Sequence, residues 1–228
     1  MSVDVSVISI GALGANSLWG EREPVRTPHA TTTLIRSGDA NIIVDPGLPG
    51  EILGARLAER ANLTPSQITH VFLTCFRPDV RRGLGLFEGA KWWINQTERE
   101  SVGVPMAESL KLALEMGKDD LAEQLRADVA VLQRCEVAPD QIAGKVSLFP
   151  LPGVTPGLAG LLISEPQHTT LVCGDAVPTR DHLDQGKVLP TSANLEEARA
   201  SFSEAIEIAD LLVLGRDNLV VNPTRRPF

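Results

Sequence analysis

Tyrosine is absent from the 228 residues, aromatic side chains make up only 4%, and cysteines number three. So few aromatics mean a core of Leu, Val, Ile and Ala, which a chain of this length can bury in quantity. Cys75, Cys135 and Cys173 form no CxxC pair. An odd, sparse set is no disulfide framework, so a reducing compartment is expected. Positive charge is also scarce: 29 Asp and Glu against 21 Lys and Arg leave a formal charge of −8. Such a chain lacks the basic footprint of a nucleic-acid binder and the polybasic face of a membrane-surface protein. Long apolar runs are missing too. The stretch 5–13 is short and broken by glycines, and Asp4 stands where a signal peptide carries Lys or Arg. Neither a signal peptide nor a transmembrane span is expected, and a cytoplasmic location is the expectation.

What is present reads as globular: 43% apolar and 22% charged residues, with 19 glycines and 16 prolines for turns. Val3, Val5 and Val7 alternate with polar residues as in a strand. TTTLIR (31–36) and NIIVD (41–45) flank Ser37-Gly38-Asp39 and read as a hairpin. A helix is expected over Gly50–Ala61, with Ile52, Leu53, Leu57 and Ala58 inward. Thr64-Pro65-Ser66-Gln67 carries a helix-start signature before the apolar strand HVFLT (70–74). A short helix at 81–87 and a strand at 91–95 follow, with one of Trp92 and Trp93 packed and the other half-exposed. Residues 97–134 read as helical with a break near Gly117, Leu121, Leu125, Val129 and Leu132 recurring at helical spacing. Strands are expected at 146–149, 160–164, 169–173 and 211–214. A helix at 195–209 opens on Asn194, its face formed by Leu195, Ala198, Phe202, Ala205 and Ile206. Strand-rich halves at about 1–100 and 140–228, with helices between and after them, suit an α/β fold: a four-layer αββα sandwich in one domain over 1–228.

Five separated segments then resemble one family in order, spacing and flanking residues. They are TTTLIRSGDANIIVDPGLP (31–49), ITHVFLTCFRPDVRRGLGLF (68–87), LPGVTPGLAGLL (151–162), LVCGDAV (171–177) and LLVLGRDN (211–218). Together they are similar to the metallo-β-lactamase-fold hydrolases over nearly the whole chain. The resemblance implies a THxHxDH loop at a strand end, a later His, a bridging Asp and a final His, which in that family hold one or two metals, usually zinc. Such a metal lowers the pKa of a bound water and polarises the scissile group.

This sequence departs from the family pattern at every imidazole. Cys75, Arg77 and Val80 stand where the loop's three histidines belong, Val154 replaces the later one and Arg216 the final one, while Asp79 and Asp175 are kept. Two donors beside a guanidinium do not make a zinc site, because Arg keeps its proton and offers no lone pair. No zinc or other cofactor is therefore expected. Two buried carboxylates without countercharge cost several kcal/mol each, of order 20 kcal/mol in the idealised limit. Arg77 and Arg216 supply that countercharge and are expected to fill the place of the metals, pairing with Asp79 and Asp175.

Other residues have plainer readings beside sharper ones. Asp79 and Asp175 read first as structural, and as catalytic only if the site was rebuilt. Cys75 is a candidate nucleophile if Arg77 lowers its pKa, but no His stands near it in the loop, and a small buried thiol is the plainer reading. Cys173 reads as a small core residue and Asp45 as structural. None of His29, His70, His168 and His182 falls at a family ligand position. His70 and His168 read as surface residues, while His29 and His182 could line the cleft. Arg81 and Arg82 could form a basic rim that attracts an anion. Three functions compete. The first is a metal-free pseudo-hydrolase with a ligand-binding or regulatory role, its partner a small anionic ligand and neither nucleic acid nor membrane. The second is a hydrolase of an ester, thioester or lactone rebuilt around Cys75, Asp79 and Asp175. The third is an oligomerisation module. The site carries that choice, not the fold.

Overall fold

The computed structural model describes residues 2–224. The chain opens with β1 (Val3–Ser9), β2 (Thr32–Ser37) and β3 (Ala40–Val44), an antiparallel meander. Helix α1 (Gly50–Ala61) leads to β4 (His70–Leu73) and β5 (Lys91–Ile94), which run parallel to β3. The helices α2 (Gln96–Glu115) and α3 (Asp119–Arg134) follow, and β6 (Glu136–Val137) completes a six-stranded sheet in order β1-β2-β3-β4-β5-β6. The second half has β7 (Gln141–Ala143), β8 (Val146–Pro150), β9 (Ala159–Ser164), β10 (Thr169–Val172), α4 (Arg180–Gln185), α5 (Leu195–Ile208), β11 (Leu211–Val213) and β12 (Leu219–Val221). Among the described residues its sheet also has six strands, in order β12-β11-β10-β9-β8-β7, with only β10 and β11 parallel.

Strand alternation builds the layers. Ile42, Val44 and Phe72 of the first sheet share one core with Val146, Leu161, Ile163, Val172 and Val213 of the second. The intervening positions, Ile43, Val71 and Leu73 on one side and Leu171 and Leu212 on the other, join the core that includes Leu53 and Leu57 of α1 and Ala198, Phe202 and Ala205 of α5. Two sheets face each other with helices outside: an αββα sandwich. Local signals set the ends. Asn62 closes α1 in the left-handed region, φ 52°, its N–H donating to the Ala58 carbonyl at 3.1 Å. Asn194 opens α5 by accepting the Glu196 and Glu197 amides at 3.0 and 3.2 Å. No helix among the described residues is long and apolar enough to cross a membrane.

Several local expectations need correction. Ile52 and Ala58 face solvent, because α1 covers its sheet only with Leu53 and Leu57. Trp92 and Trp93 are both buried, since a parallel inner strand is covered on both faces. Trp93 stacks on His70, with ring centroids 4.1 Å apart. The expected helix at 81–87 is one turn, Leu84–Phe87, and Thr64 caps another single turn, Pro65–Gln67. Leu121 and Leu195 are exposed. The two-residue to three-residue strands β6, β7 and β12 carry too little pattern to be expected from sequence.

Candidate functional site

Four loops at one end of the sandwich make the site: 74–80 after β4, 151–158 between β8 and β9, 173–179 after β10, and 214–218 after β11. Backbone hydrogen bonds tie them across the sheets, Ala159 N–H to the Thr74 carbonyl at 3.1 Å and Thr31 N–H to the Gly215 carbonyl at 2.8 Å. The Gly174–Gly215 junction brings two loops into backbone contact. Gly174 sits at φ 53°, and a Cβ on Gly215 would lie 2.3 Å from the Gly174 carbonyl oxygen. Only glycine allows that approach, and the approach sets Asp175 beside Arg216.

Arg216 is the centre of the arrangement. Its side chain is 1% exposed. Nε donates to Asp175 Oδ1 at 2.7 Å and Nη2 to Asp175 Oδ2 at 2.8 Å, a two-pronged pair, while Nη1 donates to Asp79 Oδ2 at 2.6 Å. Arg77 adds a contact from Nη1 to Asp175 Oδ2 at 3.2 Å and faces Asp79 Oδ1 with Nε at 3.7 Å. Its side chain is 39% exposed, so Arg77 guards the mouth while Arg216 fills the interior. Burial by itself would raise the Asp175 pKa, but the charge and hydrogen bonds of Arg216, then Arg77, hold it below the usual carboxylate value. Burial alone would likewise weaken the Arg216 proton, and Asp175 and Asp79 reverse that, holding it above the ordinary value.

The remaining shell residues are apolar or closed. Val80 and Val154 are buried in the hydrophobic core. Cys75 is 1% exposed, and burial, followed by the charges of Asp175, Glu98 and Asp45, pushes its thiol well above the ordinary value. Of the two readings of Cys75, the burial and the raised pKa fit the plainer one, a small buried thiol, and not activation by Arg77. Arg81 does not form a rim; it turns inward, donating to Asp128 Oδ1 of α3 at 2.6 Å with its guanidinium over Phe76. Arg82 is exposed, with Nη2 3.4 Å from the Pro28 carbonyl. His29 lies in a separate depression beside Ile10 and Ile52. His182 does line the cleft, a space of about 410 Å³ shared with Leu13, Arg22, Arg77, Asp79 and Thr191.

Two buried carboxylates hold the loops. Asp45, at φ 51°, accepts the Thr74 amide at 2.8 Å and the Thr74 hydroxyl at 2.7 Å, which fixes the start of loop 74–80. Glu98 in the first turn of α2, not singled out in the sequence, accepts from the Phe76 amide at 3.0 Å, the Thr155 hydroxyl at 2.7 Å and the Gly157 amide at 3.2 Å. The only sequence signal is an acid at a helix start, one among several in QTERES.

Burial, offset in part by the Thr74 hydrogen bonds, raises the Asp45 carboxyl to about 7. A group whose folded pKa is raised stabilises fully below its unfolded value and loses that contribution as pH rises through the folded value. Unfolding free energy should therefore fall between about pH 4 and pH 7, with a limiting slope near 1.4 kcal/mol per pH unit. Asp45→Asn should flatten that slope in urea titrations at pH 5 and pH 7.

A metal ion would need more free donors than this end of the sandwich offers among the described residues. Structural and catalytic zinc sites need at least three protein donors from Cys, His, Asp and Glu. Here both retained carboxylates are engaged by guanidinium groups, Cys75 is closed off, and among the described residues no cluster of three such donors is placed to hold an ion. The residues present do not fit a metal centre.

Residues 26–215 match the sequence model of the Metallo-beta-lactamase superfamily. A search of curated protein sequences finds no match. Among solved structures, a Thermotoga maritima protein ascribed to the metallo-beta-lactamases is 19% identical with a TM-score of 0.67, covering 97% of this chain and 100% of its own. The hydrolase AbOPH of the beta-lactamase superfamily is 13% identical with a TM-score of 0.63, covering 99% and 92%. AidC, a dizinc quorum-quenching lactonase, is 19% identical with a TM-score of 0.60, covering 78% and 67%. At these identities the likeness carries the fold.

Proposed function

Because this chain belongs to the metallo-beta-lactamase superfamily while a buried guanidinium grips both of its retained site carboxylates, we propose that it is a metal-free member of that family whose cleft binds a small anionic ligand. The observation that carries this reading is the three-bond grip of Arg216 on Asp175 and Asp79. A cation entering the same space would have to displace a charge-assisted, two-pronged pair and would then meet a positive group with no lone pair to offer. The lactonase and hydrolase activities of the structural neighbours stay with those proteins; AidC is dizinc, and the donors for such a centre are not assembled here. Rebuilding hydrolysis around Cys75 is disfavoured by the burial and raised pKa of that thiol.

Binding follows from what the cluster leaves over. Arg216 and Arg77 balance Asp79 and Asp175, so the cluster is near neutrality. Arg77 remains 39% exposed at the mouth and Arg22 is exposed beside it. Their fields act on a small ligand within about a Debye length, 8–10 Å at ordinary ionic strength, even though the whole chain is acidic. This reading needs no cofactor, nucleic acid or membrane. Elemental analysis of protein purified without chelator, paired with assays on acyl-homoserine lactones, aryl esters and thioesters, tests it. Zinc, iron and manganese far below one per chain, without turnover, are expected. Stoichiometric metal with turnover lost on chelation would overturn the reading.

A further inference from the structure

The groups facing the cleft define the ligand more closely, provided that the cleft binds a small anion as proposed above. His182 is 1% exposed and lines the cleft with Arg77 and Asp79. Its Nδ1 lies 2.8 Å from Thr179 Oγ1. That same hydroxyl oxygen accepts the His182 backbone N–H at 3.4 Å. The hydroxyl proton then has one acceptor among the described residues, Nδ1 itself. A ring nitrogen that accepts from a hydroxyl is the unprotonated one, and on that ground we assign the ring proton to Nε2. Burial keeps the imidazole neutral, holding its pKa below the ordinary value although the charges of Asp181 and Asp175 act the other way.

Nε2 has no protein partner among the described residues. Among the residues lining the same cleft, cationic donors keep spare capacity. Arg77 spends Nη1 on Asp175 and turns Nε toward Asp79, which leaves Nη2 for the cleft. Arg22 has no partner among the described residues. The carboxylates lining the cleft are already used. Asp79 is held by Arg216 and Arg77, and both Glu21 oxygens are taken, by the Asn16 amide and by Arg26. We infer that the cleft ligand is an oxyanion, a carboxylate or a phosphate, with one oxygen accepting from His182 Nε2 and another from Arg77. Thr179 is the positioning residue that fixes the tautomer.

Titration calorimetry with inorganic phosphate and, separately, acetate tests this on the wild type and on Arg77→Met, His182→Leu and His182→Gln. One of the two anions should bind, and which one does identifies the oxyanion. Arg77→Met should abolish binding. His182→Leu should weaken it tenfold or more, the loss of one charge-assisted hydrogen bond. His182→Gln, which keeps an N–H near the Nε2 position, should retain most of it. Wild-type tightness in His182→Leu, with binding still lost in Arg77→Met, would overturn the His182 assignment and leave the anion-binding reading standing. Failure of both anions to bind the wild type would overturn both. Long-range ¹H–¹⁵N correlation of the wild-type His182 ring needs no variant to fold: a protonated Nε2 that shifts on anion addition is expected, and a protonated Nδ1 would overturn the inference.

Discussion

Arg216→Met is expected to lower the free energy of unfolding by about 3–5 kcal/mol, the cost of leaving a buried charge without its partner. Asp175 is 3% exposed and loses both prongs of its pair; Asp79 loses its 2.6 Å contact. Arg77 cannot take over, because it reaches Asp175 by one bond at 3.2 Å from a half-open position. Arg216→Lys should fall between wild type and Met, since an ammonium restores charge without the fork. The triple variant Arg216→Met, Asp175→Leu, Asp79→Leu should recover most of the loss, because apolar groups of similar volume often replace a buried ion cluster without net cost. Urea denaturation with an unchanged m-value reads all three. A loss near zero in Arg216→Met would mean that cleft water solvates the carboxylates, and the claim that this guanidinium is their countercharge would fail.

The sequence made some of this legible and hid the rest for definable reasons. The extent of helix α1 could be read from its apolar spacing, yet its inward face could not: Ile52 and Leu53 are equally apolar, and only the sheet beneath decides which is covered. Adjacent Trp92 and Trp93 suggested one side in and one out, a rule that fails for a parallel strand with packing on both faces. The Asp/Arg arrangement was legible because charge balance is a sequence-level constraint once two loops are known to meet. What it could not give was the division of labour, with Arg216 sealed inside and Arg77 at the mouth. Arg81 looked like its neighbour Arg82 in sequence, and only the placement of Asp128 on α3 turned it inward. His182 could be placed near the cleft from its position in the loop after Asp175, but Glu98 carried no local signal, since it sits among ordinary helix-start residues and takes its environment from loops far along the chain.

Glu98→Ala is the second large effect, expected at about 2–5 kcal/mol from orphaned buried donors at roughly 1–3 kcal/mol each. The carboxylate is 1% exposed and ties loop 74–80 to loop 151–158 through the Phe76 and Gly157 amides and the Thr155 hydroxyl. The joint is too tight for a large replacement to enter: a Cβ on Gly157 would lie 1.9 Å from the Glu98 backbone nitrogen. Thr155 can rotate its hydroxyl elsewhere, but the two amides cannot turn, and they set the magnitude. Glu98→Gln is the sharper variant. One of its oxygen positions becomes an NH₂, so in either amide orientation one backbone N–H faces a donor, and a cost of about 1–3 kcal/mol is expected. The Phe76 and Gly157 amides should exchange hydrogen faster in both variants, more so in Ala, before global unfolding sets in. Because loop 74–80 also carries Arg77, anion binding at the mouth should weaken in step with that exchange, whereas a purely global destabilisation would leave the affinity of the folded fraction unchanged. Equal, near-zero costs for Ala and Gln would show that water replaces the carboxylate, and Glu98 would then be no part of what holds the site together.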